Sequence, residues 1–118
     1  MLTHRLDPHR GIVEIDIDGA ADGESYRALV KDMDAQIEAH GKISVLEIVR
    51  DIGWVSPGIW WEDFGWSFRH LKDIGRLAVV TDKAWLTPIV HTMSGVMPGE
   101  VATFRLDEMD SAREWIAR

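Results

Sequence analysis

At 118 residues, with 46% hydrophobic and 28% charged side chains, the chain has the size and composition of one globular domain with its own core, expected to span residues 1–118. Its 20 acidic residues against 13 basic leave a net charge of −7, which provides no basic stripe for a nucleic-acid backbone and opposes docking on anionic lipid by charge alone. The absence of cysteine excludes disulfides, thiolate catalysis and cysteine-ligated zinc.

Leu2–Leu6 is compatible with a short strand, and Asp7-Pro8 with a turn that Gly11 helps to close. Ile12–Asp18 alternates strictly: Val13, Ile15 and Ile17 on one face, Glu14, Asp16 and Asp18 on the other, as in a strand with one wet side. The next segment reads as a helix. Asp22 is its N-cap, Tyr26, Leu29, Val30, Met33 and Ile37 form its apolar stripe, and Gly41 follows its end. Ile43–Val49 is an apolar, β-branched run expected to be a strand covered on both faces, followed by a loop over Asp51–Ser56.

Gly53–Leu71 then concentrates four of the six tryptophans and two of the three phenylalanines. Each aromatic buries roughly 150–250 Å² when packed, more in total than one short helix usually hides. Ser56-Pro57 reads as N-cap and first helical position. At about 100° per residue, Trp60, Trp61, Phe64, Phe68 and Leu71 share one arc wide enough to be the core face. Ile59 and Trp66 fall outside it, among Glu62, Asp63 and His70. Either a neighbouring segment covers them, or they form a second apolar surface for a partner or a bilayer interface.

Leu77–Val80 is a further buried strand. After it come a turn over Lys83–Leu86 and a helix capped by Thr87 with Pro88 at its first position, ending before Gly95. Val101–Arg105 is the last strand, and Asp107 caps a closing helix whose Met109, Ala112, Trp115 and Ile116 face the core. The order ββαβαβαβα predicts an α/β sandwich: a five-stranded, mixed, mainly parallel sheet with four main helices.

Catalytic and metal signals are weak. The five histidines show no His-x-x-x-His or His-Glu-x-x-His pattern, and His4 and His9 across the Asp-Pro turn are too few to hold a metal alone. His40 and His70 sit at helix ends, where an imidazole complements the dipole. Glu14, Asp16 and Asp18 stand about 6.5–7 Å apart along their strand; a hard-cation site is conceivable there, and a solvated face is the preferred reading. No phosphate-binding glycine loop or nucleophile elbow occurs, so no enzyme, cofactor, metal or catalytic residue is expected. His91, between apolar Val90 and Met93, is read as a structural histidine or as the one polar contact of an apolar pocket. MLTHRLDPHR has no signal-like apolar core and no apolar run reaches about eighteen residues, so a cytoplasmic location is expected.

With the elements placed, the pattern resembles the SpoIIAA-like family of small bacterial proteins. The resemblance rests on Gly41-Lys42-Ile43, on Gly53-Trp54 through Trp61, Asp63, Phe64, Trp66, Phe68 and His70, on Leu77 to Trp85, and on Phe104 followed by Ala112-Arg113-Glu114-Trp115. It covers nearly the whole chain. It implies a STAS-like fold, similar also to CRAL-TRIO domains that carry lipophilic molecules. It further implies that the helix after the second buried strand can swing, opening an apolar cavity and exposing surface able to meet a membrane. The related anti-anti-sigma factors carry a phosphorylatable serine near the position of Ser56. Here their Asp-Ser-Ser-Gly-type motif is replaced by Asp51-Ile52-Gly53-Trp54-Val55-Ser56-Pro57, and Ser56 is read as a plain N-cap.

The expectation is a binding protein for an apolar or amphipathic small molecule, such as a lipid, held between the aromatic helix and the Pro88 helix. Its pocket would comprise Trp54, Trp60, Phe64, Trp85, Ile89, His91 and Met93, and Ile59 and Trp66 would make membrane or partner contact. Transient association with the inner membrane face belongs to this reading. The rival is a protein-interaction module, either of the anti-sigma-factor antagonist type or a homodimer.

Overall fold

A computed structural model describes residues 1–55, 66 and 69–118, the side chains of Trp54 and Val55 excepted. Ser56, Ile59, Trp60, Trp61, Phe64 and Phe68 therefore lie outside the described residues, as does the Trp54 side chain. Strands β1 (Leu2–Asp7), β2 (Ile12–Ala21), β3 (Ile43–Val55), β4 (Ile74–Thr81) and β5 (Glu100–Phe104) form one sheet in sequence order. β1 is antiparallel to β2, and the remaining pairs are parallel. Three α-helices are described: α1 (Gly23–His40), α2 (Leu86–Ser94) and α3 (Met109–Ile116). Most of the expected fourth, aromatic helix lies outside the described residues, although Trp66, Arg69 and His70 are helical.

The strand order dictates the layers. Parallel strands added always on the same side must be joined by crossovers of one hand, so α1 and α2 fall on one face of the sheet. The final helix has no further strand to reach and covers the other face. Hydrophobic alternation follows this division. Val13, Ile15, Val45, Leu77 and Val79 point toward α1 and α2, where Tyr26, Leu29, Met33, Val90 and Met97 meet them. Leu46, Ile48, Ala78 and Val80 point toward Ala112 and Ile116 of α3. β3 and β4 are thus covered on both faces, as their nearly continuous apolar sequences require.

Helix termini follow local chemistry. Asp22 caps α1 by accepting the Ser25 N–H at 2.7 Å, and Gly41, at φ 79°, closes it with a 2.7 Å bond to the Ile37 carbonyl. His40, in the last turn of α1, donates from Nε2 to the Pro8 carbonyl at 2.6 Å, tying the helix to the β1–β2 turn. Gly11 in that turn has φ 63°, and the ring of His40 packs against it.

Several boundaries differ from the sequence expectation. β3 does not end at Val49 but continues through the predicted loop to Val55, because β2 also runs on to Ala21 and pairs with it across two register shifts. Gly53 lies where a side chain would collide with the backbone of Gly19 and Ala20, so glycine permits this close approach. The α2 helix starts at Leu86, with Trp85 as N-cap and Pro88 in third position instead of first. Proline is tolerated there because the first turn's N–H groups have no partners within the helix. Asp107 does not cap the last helix. A 3₁₀ turn, Leu106–Glu108, precedes α3; the Glu108 carboxylate accepts the Arg105 N–H at 2.8 Å and Asp82 accepts that of Leu106 at 3.1 Å. Asp107 pairs instead with the Arg105 side chain.

Candidate functional site

The α1/α2 face of the sheet encloses a cavity of about 300 Å³. Its floor consists of the inward residues of the central strands, among them Ile15, Ile17, Val45, Glu47, Val49, Leu77 and Val79. Tyr26, Leu29 and Met33 of α1 form one wall; Leu86, Ile89, Val90 and Met93 of α2 form another, and Trp66 and Leu71 also contribute. The α2 residues recur at helical spacing, and the stripe continues to Met97 beyond the helix end, which explains why α2 presents an almost wholly apolar flank to the sheet.

Of the pocket residues expected from sequence, Ile89 and Met93 line this cavity. Trp85 and His91 do not. Trp85 is 55% exposed, since it precedes the first turn of α2, while His91 is exposed on the flank away from Val90. Trp54, Trp60, Phe64 and Ile59 fall outside the described side chains.

Trp66 is the principal correction. Its position on the helical wheel suggested an exposed contact surface, yet the residue is only 5% exposed and belongs to the core. Neighbouring α1 supplies the partner the indole needs: Nε1–H donates to Asp34 Oδ1 at 2.8 Å. The His70 ring lies 4.4 Å from the indole, centroid to centroid, with Nδ1 3.0 Å from Asp73 Oδ2 and Nε2 3.6 Å from Asp34. A tryptophan among polar residues is here a buried anchor whose one N–H is satisfied by Asp34 and whose ring lies beside His70. Among the exposed apolar side chains of the described residues, beside Met1 and Val96, are Trp85 and, one turn later, Ile89, at 50% exposure, where α2 borders the cavity.

Among the described lining residues the charged one is Glu47, which sequence reading passed over as one member of an apolar strand. The available signal was a lone carboxylate in ISVLEIV, a run otherwise fit for burial on both faces.

On the opposite face, Glu14 is not simply solvated. Its side chain is 14% exposed and receives Arg5 Nη2 at 2.5 Å and Arg113 Nη2 at 2.7 Å. Burial alone would raise the Glu14 carboxyl, but the hydrogen bonds and charges of Arg113 and Arg5 outweigh it and hold the group below its ordinary value. Asp16 pairs with Arg50. His4 pairs with Asp32 of α1 at 2.6 Å. Among the described residues no group of three or more histidines or carboxylates is placed to hold a metal ion, and no helix is long and apolar enough to cross a membrane.

Comparison with known proteins agrees with this architecture. The SpoIIAA-like family model matches residues 12–117. No curated protein matches the chain. The crystal structure of an uncharacterised protein of the DUF3478 family with a SpoIIAA-like fold, from Shewanella loihica PV-4, is similar with a TM-score of 0.73 over 98% of this chain and 92% of that one. Sequence identity to it is 16%, so this likeness speaks for the fold alone. The family match spans β2 to the end of α3, the part of the chain that builds both faces of the sheet, and on that ground this chain belongs to the SpoIIAA-like family.

Proposed function

We propose that the chain is a non-enzymatic binding protein that holds an apolar or amphipathic small molecule between the sheet and helices α1 and α2. The observation that carries this reading is the cavity itself: about 300 Å³, at the lower end of the roughly 300–1,000 Å³ range of ligand pockets, with a predominantly aliphatic and methionine lining. Met33, Met93 and Met97 add adaptability, since an unbranched thioether chain repacks around varied shapes. Among the described lining residues there is no titratable cluster, which favours holding a ligand over transforming it.

Native mass spectrometry of freshly purified protein tests the reading, with fluorescence of the neutral apolar probe phenylnaphthylamine as a second measurement. A co-purified adduct lost on denaturation, or a saturable fluorescence rise that Met93→Trp reduces by filling the cavity, is the expected result. The absence of both an adduct and a fluorescence rise would sink it.

A second reading has its own support. Trp85 and Ile89 place an exposed aromatic–aliphatic pair beside the cavity wall, which suits transient contact with a bilayer or another protein, including a second copy. Such contact is compatible with ligand exchange at that edge.

A further inference from the structure

We propose that the ligand is an apolar molecule bearing a hydrogen-bond donor, an ammonium or hydroxyl group, which seats against the Glu47 carboxylate; the inference rests on the cavity reading above and adds the chemistry of the head group. Glu47 lies mid-way along β3, the central strand of five, with Ile15 and Val79 beside it across the ladder. Val45 and Val49 flank it on the same face, and all five residues line the cavity. It is the sole charged side chain among the described lining residues. Tyr26 and Trp66 contribute the other polar side-chain atoms, and the Trp66 N–H is already directed at Asp34.

A carboxylate on the helix-covered face of a central parallel strand loses hydration, and valine or isoleucine would pack there without that cost. Glu47 also interacts within the chain. An ionised carboxylate offers about four lone-pair sites, so a ligand donor can share Glu47 with what it already meets within the chain. What it complements is a donor. What it rejects is a second carboxylate or a phosphate, because like charges repel strongly where water is scarce and screening is weak. The site therefore favours long-chain amines and alcohols over fatty-acid anions, although all three share the same apolar body.

Decylamine, decanol and decanoate, each below its micellar concentration at neutral pH, isolate the head group when titrated against phenylnaphthylamine bound to the full chain. Decylamine should displace the probe most tightly, about tenfold or more better than decanoate, with decanol between them. Glu47→Gln, nearly isosteric, should bring amine and carboxylate to within about threefold of each other, with decanol little changed. Decanoate matching decylamine on the wild-type protein, or decylamine failing to displace bound probe, overturns the head-group assignment and leaves the cavity reading intact. A protein that binds neither phenylnaphthylamine nor any of the three overturns both. The wild-type comparison decides even if Glu47→Gln does not fold.

Discussion

Trp66 illustrates how a single residue can satisfy two opposing rules. Its ring demands burial, its N–H demands a partner, and Asp34 meets the second demand at the edge of the core. Trp66→Phe keeps most of the apolar area and loses the donor; with Asp34 half exposed and able to rehydrate, the cost should be about 1 kcal/mol in urea unfolding. Trp66→Ala also opens a void and should cost about 3–5 kcal/mol. A Trp66→Ala protein as stable as wild type would return the residue to the surface role first suggested by the helical wheel. Glu47 presents the reverse case, a partly buried carboxylate that interacts within the chain and still lies among aliphatic lining residues, where the proposed ligand head group would meet it.

At the scale of elements, the chain is held together by polar ties between segments distant in sequence. Glu14 on β2 receives Arg5 from β1 and Arg113 from α3, so one carboxylate joins the edge hairpin to the closing helix. Because its folded pKa lies below its ordinary value near 4.5, the tie stabilises the fold above that pH and fades as pH falls through the folded value. With both guanidiniums about half or more exposed and screened by solvent, Glu14→Gln should cost about 1 kcal/mol at neutral pH. The difference between variant and wild type should vanish in strongly acidic urea titrations; a penalty that persists there would mean packing, not charge, is responsible. Arg76 plays a comparable part for α3, donating to the carbonyls of Trp115 and Arg118, both at 3.1 Å, and lying over the Trp115 ring.

For the whole molecule, the two faces of the sheet carry cavities of different character. On the α3 side, Ala78, Val80, Ala112 and Ile116 pack the centre, and a more polar cavity of about 390 Å³ lies among Arg5, Arg10, Glu14, Arg113 and Ile116. Under α1 and α2 lies the aliphatic cavity, with half-exposed Ile89 in its wall and exposed Trp85 one turn before it. If this pair meets bilayers, the protein should co-sediment with liposomes and Trp85→Glu should reduce the bound fraction several-fold without changing the thermal midpoint, since an exposed side chain contributes little to the fold. If it meets a second copy, the same substitution should instead shift sedimentation velocity from dimer to monomer. A monomer that ignores liposomes would leave the pair without an interaction role.

Much of this architecture was legible in the chain because short-range rules governed it. Strict alternation in Ile12–Asp18, the stripe and caps of Asp22–Gly41 and the β-branched runs at Ile43 and Leu77 each prescribe one local structure, and their order prescribes a mainly parallel sheet. Ile89 and Met93, expected in a pocket between the aromatic and Pro88 helices, line the cavity because they recur on α2 at helical spacing with Leu86 and Val90. Trp66, Trp85 and His91 were misjudged because a helical wheel ranks faces without saying what covers them: α1 brought Asp34 to Trp66, and the start of α2 at Leu86 left Trp85 outside its stripe. Glu47 was passed over because its neighbours along the chain made the strand look uniformly apolar. Only the packing of β3 beneath two helices from the same side turned that one carboxylate into the charged point of an apolar cavity.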